Sequence, residues 1–215
     1  ESEDIERYQA IILPAMYTAD EKILTRLKDY TAQGGTLVAT FKTAFANENV
    51  KVYSDRQPHI LSEVFGMYYQ QFTFPEKVTL TGFDDGEPEA ETFMELLIPD
   101  GAEVISAYNH PNWKKYAAVT HHSYEKGTAW YIGCMFEESY LQQLLMKILA
   151  QSGVNATALE RFPVIVREGI NENGEKIRFY LNYSWKEQIV KVPETFEVVL
   201  GQAVLKPWDV CIVKG

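Results

Sequence analysis

An α/β domain over residues 1–153 followed by a small antiparallel β domain over residues 154–215 is the architecture this sequence predicts, and two observations carry it. The first is a strand–helix–strand pattern near the N-terminus, spelled YQAIILP, MYTADEKILTRLKDYTAQ and GGTLVAT. The second is a change of pattern after residue 156. From there every apolar run is short and bounded by turn residues, with no helical periodicity.

Tyr8 to Leu13 is an Ile-rich apolar run, too short for a lone helix and stopped by Pro14, so it reads as a buried strand. Thr18 with Glu21 three positions on forms a capping box, and Ile23, Leu24, Leu27, Tyr30 and Thr31 then recur along one helical face. Gly34 and Gly35 end that helix, because the residue just past a helix C-terminus is commonly left-handed. Thr36 to Thr40 is a second strand, parallel to the first if a helix joins them across one sheet. A polar loop over residues 41–57 leaves its C-terminal end, where partner and ligand loops gather in parallel sheets.

Pro58 to Gly66 suits a two-turn helix. The stretch after it, with Met67, Tyr68, Tyr69, Phe72 and Phe74, has strand composition and more aromatic surface than one strand hides. GFDDGEPEAETF reads as a solvated acidic loop leading into a short element over residues 93–98. Ala102 to Tyr108 and Tyr116 to Tyr124 read as strands joined by NHPNWKK, a loop expected to expose Trp113. Glu125-Lys126-Gly127 turns the second of them into TAWYIG as a hairpin. A stripe of Leu141, Leu144, Leu145, Ile148 and Leu149 predicts a last helix closed by Gly153. A linker is expected over residues 154–161. Beyond it, the alternation in KIRFYLN sets Ile177, Phe179 and Leu181 on one face and Arg178 and Tyr180 on the other, the apolar set reading as core.

Composition narrows the partners. With 20 basic against 30 acidic residues and a net charge of −10, the chain would be repelled by nucleic acid and by anionic membrane surfaces. No apolar stretch approaches the roughly 18 residues of a membrane span. The acidic start, ESEDIERY, lacks a signal-peptide pattern and reads as a cut end. Two cysteines, Cys134 and Cys211, are too few for a disulfide framework and read as buried thiols. Asp84-Asp85-Gly86-Glu87 does not supply the alternating oxygen ligands of a calcium loop. His121 and His122 fall on one strand and therefore face opposite ways, which argues against a shared metal ion. The turn PAMYTAD has no glycine that would let a phosphate approach the helix N-terminus, and nothing calls for a cofactor.

Taken in order, YQAIILPAMYTADEKILTRLKDYTAQGGTLVATF, ENVKVY, PHILSEVFG, GAEVISAY, AVTHHSYEKGTAWYIG, FYLNYS and LKPWDVCIV resemble the C-terminal part of glycoside hydrolase family 42 β-galactosidases. The resemblance covers nearly the whole chain. It implies a flavodoxin-like three-layer domain, similar in architecture to class I glutamine amidotransferases, that builds a homotrimer, followed by a small sandwich-like β domain. It also implies that catalysis belongs to an N-terminal (β/α)₈ barrel outside these residues, which would act on terminal β-D-galactosides, and that the setting is the bacterial cytoplasm. The segment KTAFANENVKVY replaces a loop that is longer and glycine-rich in many members, so partner contacts there do not transfer residue by residue.

The residues agree that no catalytic pair is present. A retaining glycosidase needs two carboxyl groups about 5 Å apart across a cleft, whereas Glu137-Glu138 and Asp84-Asp85 are sequence neighbours whose side chains diverge. Cys134 follows a strand, but Met135 and Phe136 beside it lack the small residues a strained nucleophile turn requires. The expected role is therefore assembly, with Phe41, Phe45 and Tyr53 of the 41–57 loop and Tyr68 and Tyr69 of the aromatic stretch as candidate interface residues. The alternative is a carbohydrate-binding accessory module, with Trp113 as the candidate sugar contact. Trp130 reads as core, and Trp185 and Trp208 as strand-edge cover. The triplets beginning at Asn155 and Asn182 fit the glycosylation pattern.

Overall fold

The computed structural model describes residues 4–154 and 163–215, and the chain divides into two compact units, Glu1–Val154 and Asn155–Gly215. The linker expected beyond Val154 and the Asn155 triplet lie outside the described residues.

The first unit runs β1 (Ala10–Leu13), α1 (Glu21–Ala32), β2 (Thr36–Thr40), α2 (Leu61–Phe65), β3 (Met67–Tyr68), β4 (Phe72–Thr73), β5 (Thr79–Leu80), β6 (Ala90–Glu95), β7 (Ile98–Pro99), β8 (Glu103–Asn109), β9 (Ala117–Tyr124), β10 (Gly127–Ile132), β11 (Cys134–Phe136) and α3 (Glu138–Gln151). Its main sheet has the order β1-β2-β10-β9-β8-β5. The helical crossover makes β1 and β2 parallel, and β10 joins β2 in parallel with Trp130 opposite Val38. From β10 outward the pairing to β9, β8 and β5 is antiparallel, as the predicted hairpin at Glu125 requires. A second sheet, β11-β6-β4, lies beside it in the topology.

Because side chains alternate along a strand, β2 and β10 serve two cores at once. Leu37, Ala39, Ala129 and Tyr131 pack with Leu24 and Leu27 of α1 and with Leu61, Val64 and Phe65 of α2. Val38, Trp130 and Ile132 point the other way, into a cluster with Leu144 and Ile148 of α3. The result is helix, sheet and helix in three layers. Being covered on both faces, β2 reads as a near-continuous apolar run rather than an alternating one.

Three local expectations change. The N-cap of α1 is Asp20, whose Oδ1 accepts the Ile23 N–H at 2.7 Å, and not Thr18. Glu21 is already the first helical residue, which puts Thr18 too far upstream to cap, and Thr18 instead bridges to Ala46. Loop 41–57 is polar in sequence yet tied down: Ala44 and Ala46 are fully buried and bond back to Met16 and Tyr17. The element expected over 93–98 breaks into β6 and β7, with Glu95 buried between their apolar residues.

The second unit is entirely β: β12 (Val164–Ile170), β13 (Lys176–Asn182), β14 (Gln188–Ile189), β15 (Glu197–Leu200), β16 (Val204–Leu205) and β17 (Val210–Lys214). Four strands form one sheet, β12-β13-β17-β15, and β14 pairs with β16. Alternation along β13 is as expected, but the face is reversed. Tyr180 is fully buried among Val164, Val166, Val190, Leu205, Cys211 and Val213, while Phe179 is half-exposed. The longer polar side chains can do this because their heads reach partners: Tyr180 bonds the Lys191 carbonyl, and Arg178 pairs with Glu168 over the Phe196 ring. Asn182 is also buried, donating at 2.8 Å to the carbonyls of both Lys186 and Lys206, so this triplet is no acceptor for a glycan in the folded unit.

Candidate functional site

The site begins at the C-terminal end of β2, where the chain must turn without continuing the sheet. Phe41 keeps one sheet bond, to the Ile132 carbonyl, and then Lys42 and Ala44 take left-handed φ values of 62° and 53°. Thr43 holds the turn through its hydroxyl, which donates to the Thr40 carbonyl at 2.7 Å. The Lys42 N–H, turned inward, donates at 2.8 Å to Oε1 of Glu95.

Glu95 is completely buried. Its Oε2 accepts the Tyr131 hydroxyl at 2.8 Å, and its backbone carbonyl accepts the Tyr108 hydroxyl at 2.7 Å. The buried Tyr69 hydroxyl faces the same carboxylate. Burial pushes the Glu95 carboxyl up to about 7, against the opposing pull of the Lys42 N–H, the Tyr69 and Tyr131 hydroxyls and the Lys42 charge.

Outside this buried carboxylate lies a caged lysine. Lys42 Nζ sits 3.5 Å from the Phe72 ring centroid, 4.0 Å from Phe45 and 5.0 Å from Phe93, a cation against three π faces. Burial pushes this ammonium down and the Glu95 charge opposes the shift. The rings continue beyond the cage: Phe41 and Phe72 lie 5.3 and 5.2 Å from Phe93, Phe74 lies 6.4 Å from Phe93, and Tyr17 lies 5.3 Å from Phe45. Phe74 is 73% exposed and Phe72 46%. A connected aromatic surface around one positive charge is what the turn builds.

Of the expected interface residues, Phe41 and Phe45 belong to this surface. The 41–57 loop and the 67–74 stretch therefore meet, through Phe45 and Phe72. Tyr53 stands apart, stacked on His59 at 3.7 Å with its hydroxyl on the Ala19 carbonyl. Tyr68 lies under the Arg56 guanidinium at 4.3 Å. Tyr69 is only 1% exposed and belongs to the core, because the strand-like pattern from Met67 turns it inward, so it presents nothing to a partner. Sequence reasoning does not single out Lys42, Phe93 or Glu95. Lys42 stands between two phenylalanines in FKTAF, and Glu95 is a lone charge inside FMELLI; both were legible as charges that an apolar setting would force to find partners.

Chemistry elsewhere is quiet. Trp113 is not held out on its loop; it packs half-buried against the α3-side core with His110 stacked on it. The tryptophans that do face solvent are Trp185 and Trp208, at 83% and 53%. Trp130 is core, as expected. Burial pushes the Cys134 thiol up to about 12, which removes it as a nucleophile at neutral pH. His121 lies against Trp130 and His122 bonds the Val64 carbonyl, on opposite faces of β9. Asp84, Asp85, Glu137 and Glu138 are exposed. Among the described residues no group of three metal-binding side chains converges, and no helix is long and apolar enough to cross a membrane.

Comparison with known proteins gives two matches that divide the chain. Residues 1–155 match the family described as Beta-galactosidase trimerisation domain, and residues 164–215 match the Beta-galactosidase C-terminal domain. Beta-galactosidase LacZ of Heyndrickxia coagulans is 30% identical over 223 residues, covering 99% of this chain and 33% of the relative. Beta-galactosidase LacA of Lactobacillus acidophilus is 25% identical over 222 residues, with coverage of 99% and 33%. Among solved structures, the beta-galactosidase from Bacillus circulans sp. alkalophilus superposes with a TM-score of 0.86 at 23% identity, over 99% of this chain and 34% of that one. The chain thus spans about a third of the length of the curated relatives it matches.

Proposed function

We infer a role from one premise: the chain belongs to the glycoside hydrolase family 42 β-galactosidases, of which it carries the trimerisation domain and the C-terminal domain. In this reading it is a non-catalytic assembly portion. The first unit, read as flavodoxin-like from its β1-α1-β2 crossover, joins three copies into a closed ring. The ring holds three barrel domains of a larger enzyme in fixed relation, and those barrels hydrolyse terminal β-D-galactosides in the bacterial cytoplasm.

The observation that carries the reading is the aromatic surface of Phe41, Phe45, Phe72, Phe74 and Phe93. Scattered exposed apolar residues are ordinary, whereas contiguous ones rimmed by polar side chains mark interaction sites. A ring of three joins two unlike patches on each copy, so loss of one patch should leave monomers rather than dimers.

Light scattering after size-exclusion chromatography tests this. The expected mass is three times 24.6 kDa, about 74 kDa. Glutamate at both Phe72 and Phe74 should return the mass to 24.6 kDa, because it would replace two contact rings by two carboxylates, of which the single Lys42 charge can offset one. A wild-type chain that stays at 24.6 kDa at every concentration, or a double variant that still assembles, would overturn the reading.

A further inference from the structure

We propose that Glu95 is the positioning residue of the assembly surface and makes assembly pH-dependent, tightest when its carboxyl is charged. The proposal rests on the assembly reading above. Lys42 is held at both ends, its N–H on the Glu95 carboxylate and its ammonium among Phe45, Phe72 and Phe93. The acid therefore sets the turn that presents the cage, and it supplies the charge opposite the cation in it.

A second copy covering the aromatic surface would strip Lys42 of its remaining water. A buried cation is tolerated when a counter-charge accompanies it and is costly when alone. With Glu95 ionised, the covered site holds one negative and one positive charge. With Glu95 protonated, it holds a lone ammonium, and the new O–H needs an acceptor, which the Tyr69 or Tyr131 hydroxyl has to supply.

The titratable groups facing Glu95 are Lys42 from the turn after β2, Tyr69 after β3, Tyr108 on β8, Tyr131 on β10 and Cys134 on β11. Burial pushes all three tyrosines and the thiol upward, so they stay neutral through the neutral range. Burial has also brought Glu95 itself into that range. Among the acids that face one another here, the carboxyl is the one that changes charge there.

Sedimentation velocity on the 215-residue chain between about pH 5.5 and about pH 8.5 provides the test. Association should weaken about tenfold or more toward the acid end. Glu95→Gln, which keeps the shape and removes the charge, should give a flat profile. Lys42→Met, which keeps an apolar stem in the cage and removes the cation, should reverse it, because the covered site then holds a lone carboxylate at the alkaline end and no charge at the acid end. A second readout is the Lys42 amide resonance in dilute monomer, expected to titrate near neutrality and to stop doing so in Glu95→Gln. A wild-type chain that assembles equally at both ends of the range, or a profile unchanged in Glu95→Gln, would overturn the proposal. A chain that stays monomeric at every pH would instead overturn the assembly reading. In that event a moving Lys42 amide would still establish the Glu95 clamp, and a stationary one would refute it.

Discussion

Adding a single methyl group at Gly127 is expected to lower the stability of the first unit by about 3 kcal/mol or more. A Cβ there would sit 2.2 Å from the Thr31 carbonyl oxygen, 2.4 Å from that of Gly35 and 3.1 Å from the Gly34 carbonyl carbon. All three are backbone atoms, from the last turn of α1 and the turn into β2, and no rotamer change moves them aside. The same place fixes register: Thr128 donates to Gly35 and Lys126 to Ala32, which seats β10 against both elements. The strand would have to retreat and give up those bonds. Urea unfolding of Gly127→Ala against wild type measures the loss. Gly169→Ala is the control, since a methyl group there would meet nothing within 4 Å and its cost should stay within about 0.5 kcal/mol. Equal midpoints for the two variants would contradict the crowding argument.

The second large effect concerns Glu95 and the stability of the monomer. Its carboxyl is raised by burial from 4.5 to about 7. An acid raised in this way is favoured neutral in the fold, so its contribution is fully present below its unfolded value and is lost as pH rises through the folded one. The window therefore runs from about 4.5 to just above 7, and the loss across it is about 3 kcal/mol. Glu95→Gln carries no titrating group, so the stability difference between variant and wild type should move by about that amount, in favour of the variant, from acid to alkaline pH. At acid pH the variant should be the weaker, because its amide NH₂ replaces an oxygen that accepts either Lys42 or Tyr131. Denaturant titrations of both proteins across the window provide the measurement. A pH-independent difference would mean that Glu95 titrates outside it. Monomer stability and assembly thus respond to the same proton with opposite sign.

The elements that the sequence predicted well are those with strong local signals. The β1-α1-β2 crossover, the β9-β10 hairpin, α3 and the all-β character of the second unit each rest on periodicity or turn chemistry that neighbours reinforce. The errors arise where a distant contact decides. Thr18 satisfied a capping pattern, but its backbone was taken by Ala46, and Asp20 stood closer to the helix. Tyr69 and Tyr180 look amphipathic in isolation, and both are buried because long-range neighbours enclose them. For the candidate site, the sequence marks Phe41, Phe45, Phe72 and Phe74 but neither Phe93 nor their meeting. Phe45, Phe72 and Phe93 are separated in sequence by long intervals, and a turn with two left-handed residues brings them together.

The distribution of tryptophan gives the molecule a built-in optical label for one of its two units. Trp130, 4% exposed and in contact with His121 at 4.5 Å, emits from an apolar interior and will shift to the red when that interior opens. Trp185 and Trp208 already face water, so their emission changes little whether the terminal unit is folded or not. Fluorescence-detected melting therefore follows the first unit and largely overlooks the second, while circular dichroism weighs both. A gap between the two curves would read out how independently the halves unfold.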